Sequence, residues 1–454
     1  MTKLKEKFSK NISLTEGSIF EGLIIFSIPL ILTNFLQQLY NTADLMIVGR
    51  FAGKNPMAAV GATGPLSTLL VGLFLGLTTG AGVIISTYYG MNDAKKLRDS
   101  VTCAYFLAIL SGIIITVGGI LTTPLLLRLL GTPDEIMTDA INYMRIFYLG
   151  ATPLIIYNMG ASISIATGDS KRPFNFLLVA ALVNIVLDFV FVGYFKMSVI
   201  GAGIATFSAQ AVSAILVTLN LTSSDSAFRL RIKKISYHKE IAKQIFLIGI
   251  PTGLQSSFIS FTNVVIQAKI NSFGSNVIAG IAAEGRIDGF VFMTLQAVAL
   301  AATTYAGQNY GAKKIDRIKE GVKVTVNITL AIALALSLIS IVFANQLIAA
   351  FNPNEEVVFY GAKMLRIICL AVWAFGLSES LSAFIRGSGE ALAPMLISFV
   401  WLCISRIAFI YLPIKGWSES IDPLCWSYPF SYICNFIVTY IYYKFGKWRK
   451  KASL

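Results

Sequence analysis

Apolar segments long enough to cross a bilayer follow one another along almost the whole chain, at 17–46, 57–88, 100–123, 136–166, 173–195, 199–222, 240–270, 277–309, 320–346, 354–385, 391–414 and 421–445. A helical crossing needs about 20 mostly apolar residues. Each segment can therefore supply one, and the longest predict tilted helices or helices that run past the membrane. Of 454 residues, 56% are hydrophobic and only 13% charged, with a mean hydropathy of +0.72. A water-soluble domain cannot hide that much apolar surface. The expected fold is all-α and integral to the membrane, with twelve transmembrane helices and no leader with a cleavage site ahead of the first.

The formal charge of +14 would suit nucleic acid, but its distribution points elsewhere. Lys3, Lys5, Lys7 and Lys10, then Lys95, Lys96 and Arg98, then Lys171 and Arg172 fall in alternate loops. The same alternation collects Arg229 to Lys243, Lys313 to Lys323, and Lys444 to Lys451. The remaining loops hold isolated cations such as Arg50, Lys54, Arg128, Lys196 and Lys415. Positive charge gathers on the cytoplasmic side, so both termini are expected there, in a cell (inner) membrane. The basic balance reads as topology, with the lipid bilayer as partner and no nucleic acid. The five cysteines are scattered without CxxC spacing and read as small, buried thiols. The single histidine, His238, lies in a polar linker, so His-based metal or triad chemistry has no raw material and an enzyme is not expected.

The chain also repeats itself. A shift of about 221 residues lays Gly64 on Gly285 and Tyr89-Gly90 on Tyr310-Gly311, and a shift of one more lays Pro29 on Pro251 and Asn41 on Asn263. Six spans per copy is an even number, so the copies share one orientation and form parallel repeats. The expectation is an N-lobe at 1–222, a cytoplasmic linker at 223–239 and a C-lobe at 240–454, two pseudo-symmetric six-helix lobes around a central cavity.

Ionisable groups inside spans are costly and mark function by default. Asn184 and Asp188 are four apart in the apolar span five, so one helical face presents an amide and a carboxylate. Asp44 lies late in span one after Tyr40-Asn41-Thr42-Ala43, and Thr206 follows the small residues Gly201, Ala202 and Gly203 in span six. Brought together, these are hard oxygens suited to Na⁺, or to a proton shared by two carboxylates. The repeat places Ile266, Ser405 and Phe409 opposite Asp44, Asn184 and Asp188, so the second copy lacks the carboxylates. Pro29 and Pro251 interrupt the helix ladders of spans one and seven. Gly72, Gly76 and Gly80 form a stripe that reads as helix packing. In the second copy, Glu284, Arg286 and Asp288 read as a group pairing near an interface, while Glu379 and Arg406 lie deeper as an ion pair or as cavity lining.

The pattern Pro29…Tyr40-Asn41-x-x-Asp44…Val48-Gly49, the span-five Asn184-x-x-x-Asp188, the span-six Gly201-Ala202-Gly203-x-Ala205-Thr206 and the duplicated halves together resemble the multidrug and toxic compound extrusion (MATE) family. The resemblance covers nearly the whole chain. It implies an antiporter that exports amphipathic, often cationic compounds in exchange for inward H⁺ or Na⁺, with no other cofactor, working as a monomer. It further implies that Asp44, Asn184, Asp188 and Thr206 form the N-lobe cation site, with Na⁺ a candidate there, and that span one bends at Pro29. Gln37, Tyr40, Glu379 and Gln296 (beside Ala297) are candidate cavity-lining residues. Ile259 is neutral where some members carry an acidic residue in span seven.

No G-x-x-x-x-G-K-[ST] loop is present to bind ATP. A lipid-linked oligosaccharide flippase of related architecture would line its cavity with cations for pyrophosphate, whereas here Arg286 and Arg406 face a larger acidic set. An intramembrane enzyme would have to rely on an Asp44–Asp188 dyad, and a passive channel would not accumulate substrate against a gradient.

Overall fold

The computed structural model describes residues 13–223, 227–412 and 420–451, which leaves the lysines of the N-terminal tail, Lys415 and linker residues 224–226 outside the described residues. The described residues are overwhelmingly helical and contain no strand. The first half comprises α1 (Ile19–Phe51), α2 (Lys54–Ala62), α3 (Gly64–Gly90), α4 (Ala94–Leu129), α5 (Asp134–Leu149), α6 (Ala151–Ala166), α7 (Lys171–Asp188) and α8 (Ser198–Ser223). The second comprises α9 (Lys239–Asn271), α10 (Ser275–Gly311), α11 (Ile315–Val342), α12 (Ala344–Ala349), α13 (Glu355–Cys369) and α14 (Val372–Gly387), then α15 (Leu392–Ser398), α16 (Ser405–Ile410), α17 (Asp422–Phe445) and α18 (Trp448–Lys451).

Among the described residues, eight helical segments are long and apolar enough to cross a membrane by length and composition. Two bent pairs, α5 with α6 at 42° and α13 with α14 at 46°, raise that to ten. These are the fourth and tenth spans of the sequence, so the break is a duplicated feature. Helices α3 and α17, 27 and 24 residues long, occupy the two remaining places in the twelve-span order. The fifth span continues from α7 into a π-helical turn at Phe189–Tyr194, and the eleventh passes through another at Phe399–Ile404 between α15 and α16.

The molecule divides into two compact units, Ile28–Gly249 and Ser13–Ser27 with Ile250–Leu454. The division falls inside α1 and α9 rather than in the polar stretch expected at 223–239. Both crossings lie immediately before a proline, Pro29 or Pro251. Proline has no N–H for the ladder and clashes with the preceding turn, so helical continuity is weakest there, and the two ends of each helix can pack against different neighbours.

The start of α1 is tied to the second unit through backbone carbonyls. The amide of Asn309 donates to the Leu14 carbonyl at 3.0 Å, Lys314 Nζ to Thr15 at 3.0 Å and Arg317 Nη1 to Gly17 at 3.0 Å. Leu14, Thr15 and Gly17 precede the first helical residue, so their carbonyls lie outside the α1 ladder and are open to side-chain donors. In the first unit, the start of α9 lies against α3, where Tyr88 donates to Gln244 at 3.0 Å. A Cβ on Gly80 would fall on the Ile245 carbonyl, and one on Gly249 would meet the backbone of Leu77 and Gly76 at 3.0–3.1 Å. The Gly76 and Gly80 part of the stripe in span two is a packing seam. Gly80→Ala should therefore overpack it by about 1–3 kcal/mol and lower the thermal midpoint in detergent by a few degrees. Gly285→Ala, at a position with nothing within 4 Å, is the control that should not.

Candidate cation site

Three helices of the first unit, α1, α7 and α8, share a common layering. Towards one end, Ile47 and Val48 of α1, Val192 just past α7, and Val199 and Ala202 of α8 join Tyr143, Met144 and Tyr148 of α5 in one buried cluster. Towards the other, Leu177 of α7 and Ala214 and Val217 of α8 join Tyr157 and Ala161 of α6, with Leu36 and Tyr40 of α1 packed on them. The polar residues lie between the clusters: Asp44 on α1, Asn184 and Asp188 on α7, Thr206 and Gln210 on α8. All five are buried, and Asp188 is 0% exposed. A polar layer between two apolar ones lacks the water that would ordinarily solvate it.

The carboxyl groups of Asp44 and Asp188 come within hydrogen-bonding reach of one another. Among the described residues neither oxygen of Asp188 finds a donor, nor do Asp44 Oδ1, Asn184 Oδ1 and Gln210 Oε1. Two ionised carboxylates in contact cannot satisfy each other, because each only accepts. The arrangement becomes favourable when a cation, H⁺ or Na⁺, supplies the missing positive charge. Beside it is a void of about 20 Å³ lined by Gln37, Tyr40, Tyr157, Asn184, Thr206 and Gln210, among others. That is room for about one water-sized occupant. Tyr40, hydrogen-bonded to Gln37, and Tyr143 of α5 stand next to the pair.

The four residues expected to form the site, Asp44, Asn184, Asp188 and Thr206, thus lie in one unit and one layer, with Gln37 and Tyr40 lining the adjoining void. The other two candidates are elsewhere. Glu379 is buried on α14, where it accepts from Arg386 Nη2 at 3.0 Å. Gln296 is exposed on α10. Pro29 lies inside α1, its carbonyl accepting from the Thr33 hydroxyl at 2.7 Å. Two neighbours were not anticipated. Gln210 is one helical turn beyond Thr206 on the same face, a spacing legible in the sequence. Tyr143 carries no such signal.

The second unit lacks this arrangement at the repeated positions. Ile266 is part of an apolar cluster with Ile270, Val291 and Leu295. Phe409 stacks on Phe430 with ring centroids 4.9 Å apart.

Gly150, at the break between α5 and α6, touches the site from outside. A Cβ there would strike the side-chain oxygen of Gln210. Gly150→Ala is expected to push that amide towards the void and lower the thermal midpoint in detergent by a few degrees. Gly150→Ala combined with Gln210→Ala should recover much of the loss.

The MatE family model matches residues 29–190 and again 251–412, one copy beginning at each of the two crossing prolines. The chain belongs to the MATE family. It is a multi-pass membrane protein of a family of multidrug efflux transporters. It is 27% identical to the probable multidrug resistance protein YoeA of Bacillus subtilis strain 168, over 96% of each chain. To that organism's probable multidrug resistance protein YpnP it is 28% identical over 96% of this chain and 97% of the relative. The fold superimposes on a crystal structure of a MATE protein in a bent conformation with a TM-score of 0.88, covering 98% of this chain and 100% of that one at 22% identity. A straight-conformation structure gives 0.89 over 96% and 98% at 23% identity.

Proposed function

We propose that this MATE protein is a secondary antiporter that expels amphipathic, cationic compounds as H⁺ moves inward through the Asp44–Asp188 pair. The single observation that carries the reading is two buried carboxyl groups in reach of each other with no donor between them. A proton satisfies both at once, and its loss leaves a like-charged pair that must separate or bind something else. The pair joins α1 to α7, and α1 belongs to one unit up to Ser27 and to the other from Ile28. A proton on Asp44 would then sit on the helix whose bend at Pro29 would accompany alternating access. The names of the relatives, multidrug resistance proteins, support the substrate class. The lysine-rich alternation of the loops supports cytoplasmic termini in the cell membrane. The protein is expected to work as a monomer, without nucleic acid or a bound cofactor.

A second reading takes Na⁺ as the coupling ion. The orphaned oxygens of Asn184 and Gln210 favour it, since with the carboxylates they offer a hard-oxygen set around a void of ion size. Proteoliposomes with independently imposed pH and Na⁺ gradients separate the two. The expected result is ethidium-type dye efflux driven by the pH gradient alone. Flux that follows only the Na⁺ gradient transfers the role to Na⁺, and flux indifferent to both refutes the antiporter.

A further inference from the structure

The second unit contains a buried acidic pair of its own, on α10, at positions the repeat does not share with Asp44 and Asp188. Glu284 and Asp288 are four residues apart and so lie on one helical face, at 3% and 8% exposure. Arg286, between them in sequence, points the other way and is exposed. The three do not form the interfacial group expected from the sequence.

Among the described residues, the cations near the pair are these. Arg406 of α16 faces Asp288. Among the described residues it makes no ion pair within 4 Å, and it donates to the Ser431 hydroxyl from Nε and Nη2, at 3.3 Å each, and stacks over Tyr428 at 4.3 Å. On α13, Lys363 is held by Asp422 at 2.6 Å, and Arg366 donates to Asn345. On α14, Arg386 is held by Glu379. The remaining titratable neighbours are neutral in their ordinary state: Cys369 of α13, and Cys425, Tyr428 and Tyr432 of α17. From α11, Ser337 and Ser340 approach Cys369.

One guanidinium therefore stands against two carboxyl groups. Glu284 Oε1 and Asp288 Oδ1 are both buried without a hydrogen-bond partner among the described residues. An unpaired charge at this depth costs several kcal/mol. Among the described residues no group of three or more His, Cys, Asp or Glu could hold a metal ion. A proton removes the excess charge, and on one carboxyl it also supplies the O–H donor that the other lacks.

We propose that Glu284 and Asp288 together bind one exchangeable proton, giving the second unit a proton site of its own, separate from the Asp44–Asp188 pair. The inference does not rest on the proposed antiport. It concerns occupancy of this pair whatever ion drives the first unit.

The test uses the purified full-length protein in liposomes, in an Asp44→Asn/Asp188→Asn background that removes the first site. Infrared difference spectra across a pH titration report the C=O stretch of a protonated carboxylic acid. The expected result is a band that bleaches as pH rises, shifts when all glutamates carry carbon-13, and disappears in Glu284→Gln. The isotope shift assigns the proton to a glutamate even if Glu284→Gln fails to fold; Glu379 is excluded by its ion pair with Arg386, and exposed glutamates are excluded because they lose their proton at about pH 4, where the expected band persists. Three outcomes overturn the proposal: no such band at any pH, a band indifferent to pH, or a titrating band unmoved by the isotope. Because the first site is absent from this background, its own failure as a coupling site cannot imitate any of them.

Discussion

Asp188→Asn should abolish gradient-driven efflux while leaving the protein expressed, folded and at least as heat-resistant as the parent. Dye flux in proteoliposomes should fall to the level of protein-free vesicles. The argument has two parts. Asn is isosteric with Asp and can donate from its amide to Asp44, so the pair with no donor becomes an ordinary hydrogen bond. The same change removes a carboxyl that is 0% exposed inside an apolar bundle and has no partner for either oxygen. A charge there costs several kcal/mol, so losing it should stabilise. A residue whose replacement raises the thermal midpoint and silences transport is retained for function. Retained, gradient-dependent flux in the Asn variant would end the cation-site reading. A fall in stability would show instead that Asp188 is ionised and paired for structural reasons. Ile266→Val, at the repeat counterpart of Asp44, should change neither readout, because that side chain only fills an apolar cluster.

Much of the candidate site could be read from the sequence because membrane depth makes polarity conspicuous. Asp188 stands among Val183, Ile185, Val186 and Leu187, and the i, i+4 rule places Asn184 beside it. Burial on the same helical face extends the rule to Gln210, one turn past Thr206. Tyr143 could not have been found this way. It lies on a helix with polar residues along much of its length, and only the packing of α5 on α1 brings it to the pair. The unit boundary was hidden for a different reason. A polar stretch marks where a chain leaves the membrane, but helix faces decide which bundle a segment joins. In α1 and α9 those faces change allegiance at a proline, in mid-span. Pro29 and Pro251 were visible as breaks in the ladder; that each would mark a change of unit required the three-dimensional contacts of Leu14, Thr15, Gly17, Gln244 and Gly249. The layered arrangement also explains why the repeat was the most informative sequence feature: the scaffold is duplicated, while the acidic pairs sit at unrelated positions in its two copies.

The deep charges of span ten lead to the second large effect. The sequence offered Arg406 as a possible mate for Glu379, but the structure pairs Glu379 with Arg386, two turns on along α14, with Nη2 to Oε2 at 3.0 Å. Residues seven apart return to the same helical face, so this pairing is local. Arg386 Nη1 also approaches the Gln255 side-chain oxygen at 3.5 Å, and Gln255 donates to Ser398 at 3.0 Å. Breaking a buried pair from one side strands the other charge, at about 3–5 kcal/mol. Glu379→Gln and Arg386→Met should each lower the thermal midpoint by several degrees and reduce yield. The double variant should recover most of the loss, because a neutral amide and a flexible apolar side chain leave no unpaired charge. Transport per folded molecule should then be close to that of the parent, as neither residue belongs to the Asp44–Asp188 layer. Additive losses in the double variant would show that the two do not act as a pair. Restored stability with lost transport would instead give the pair a part in moving substrate.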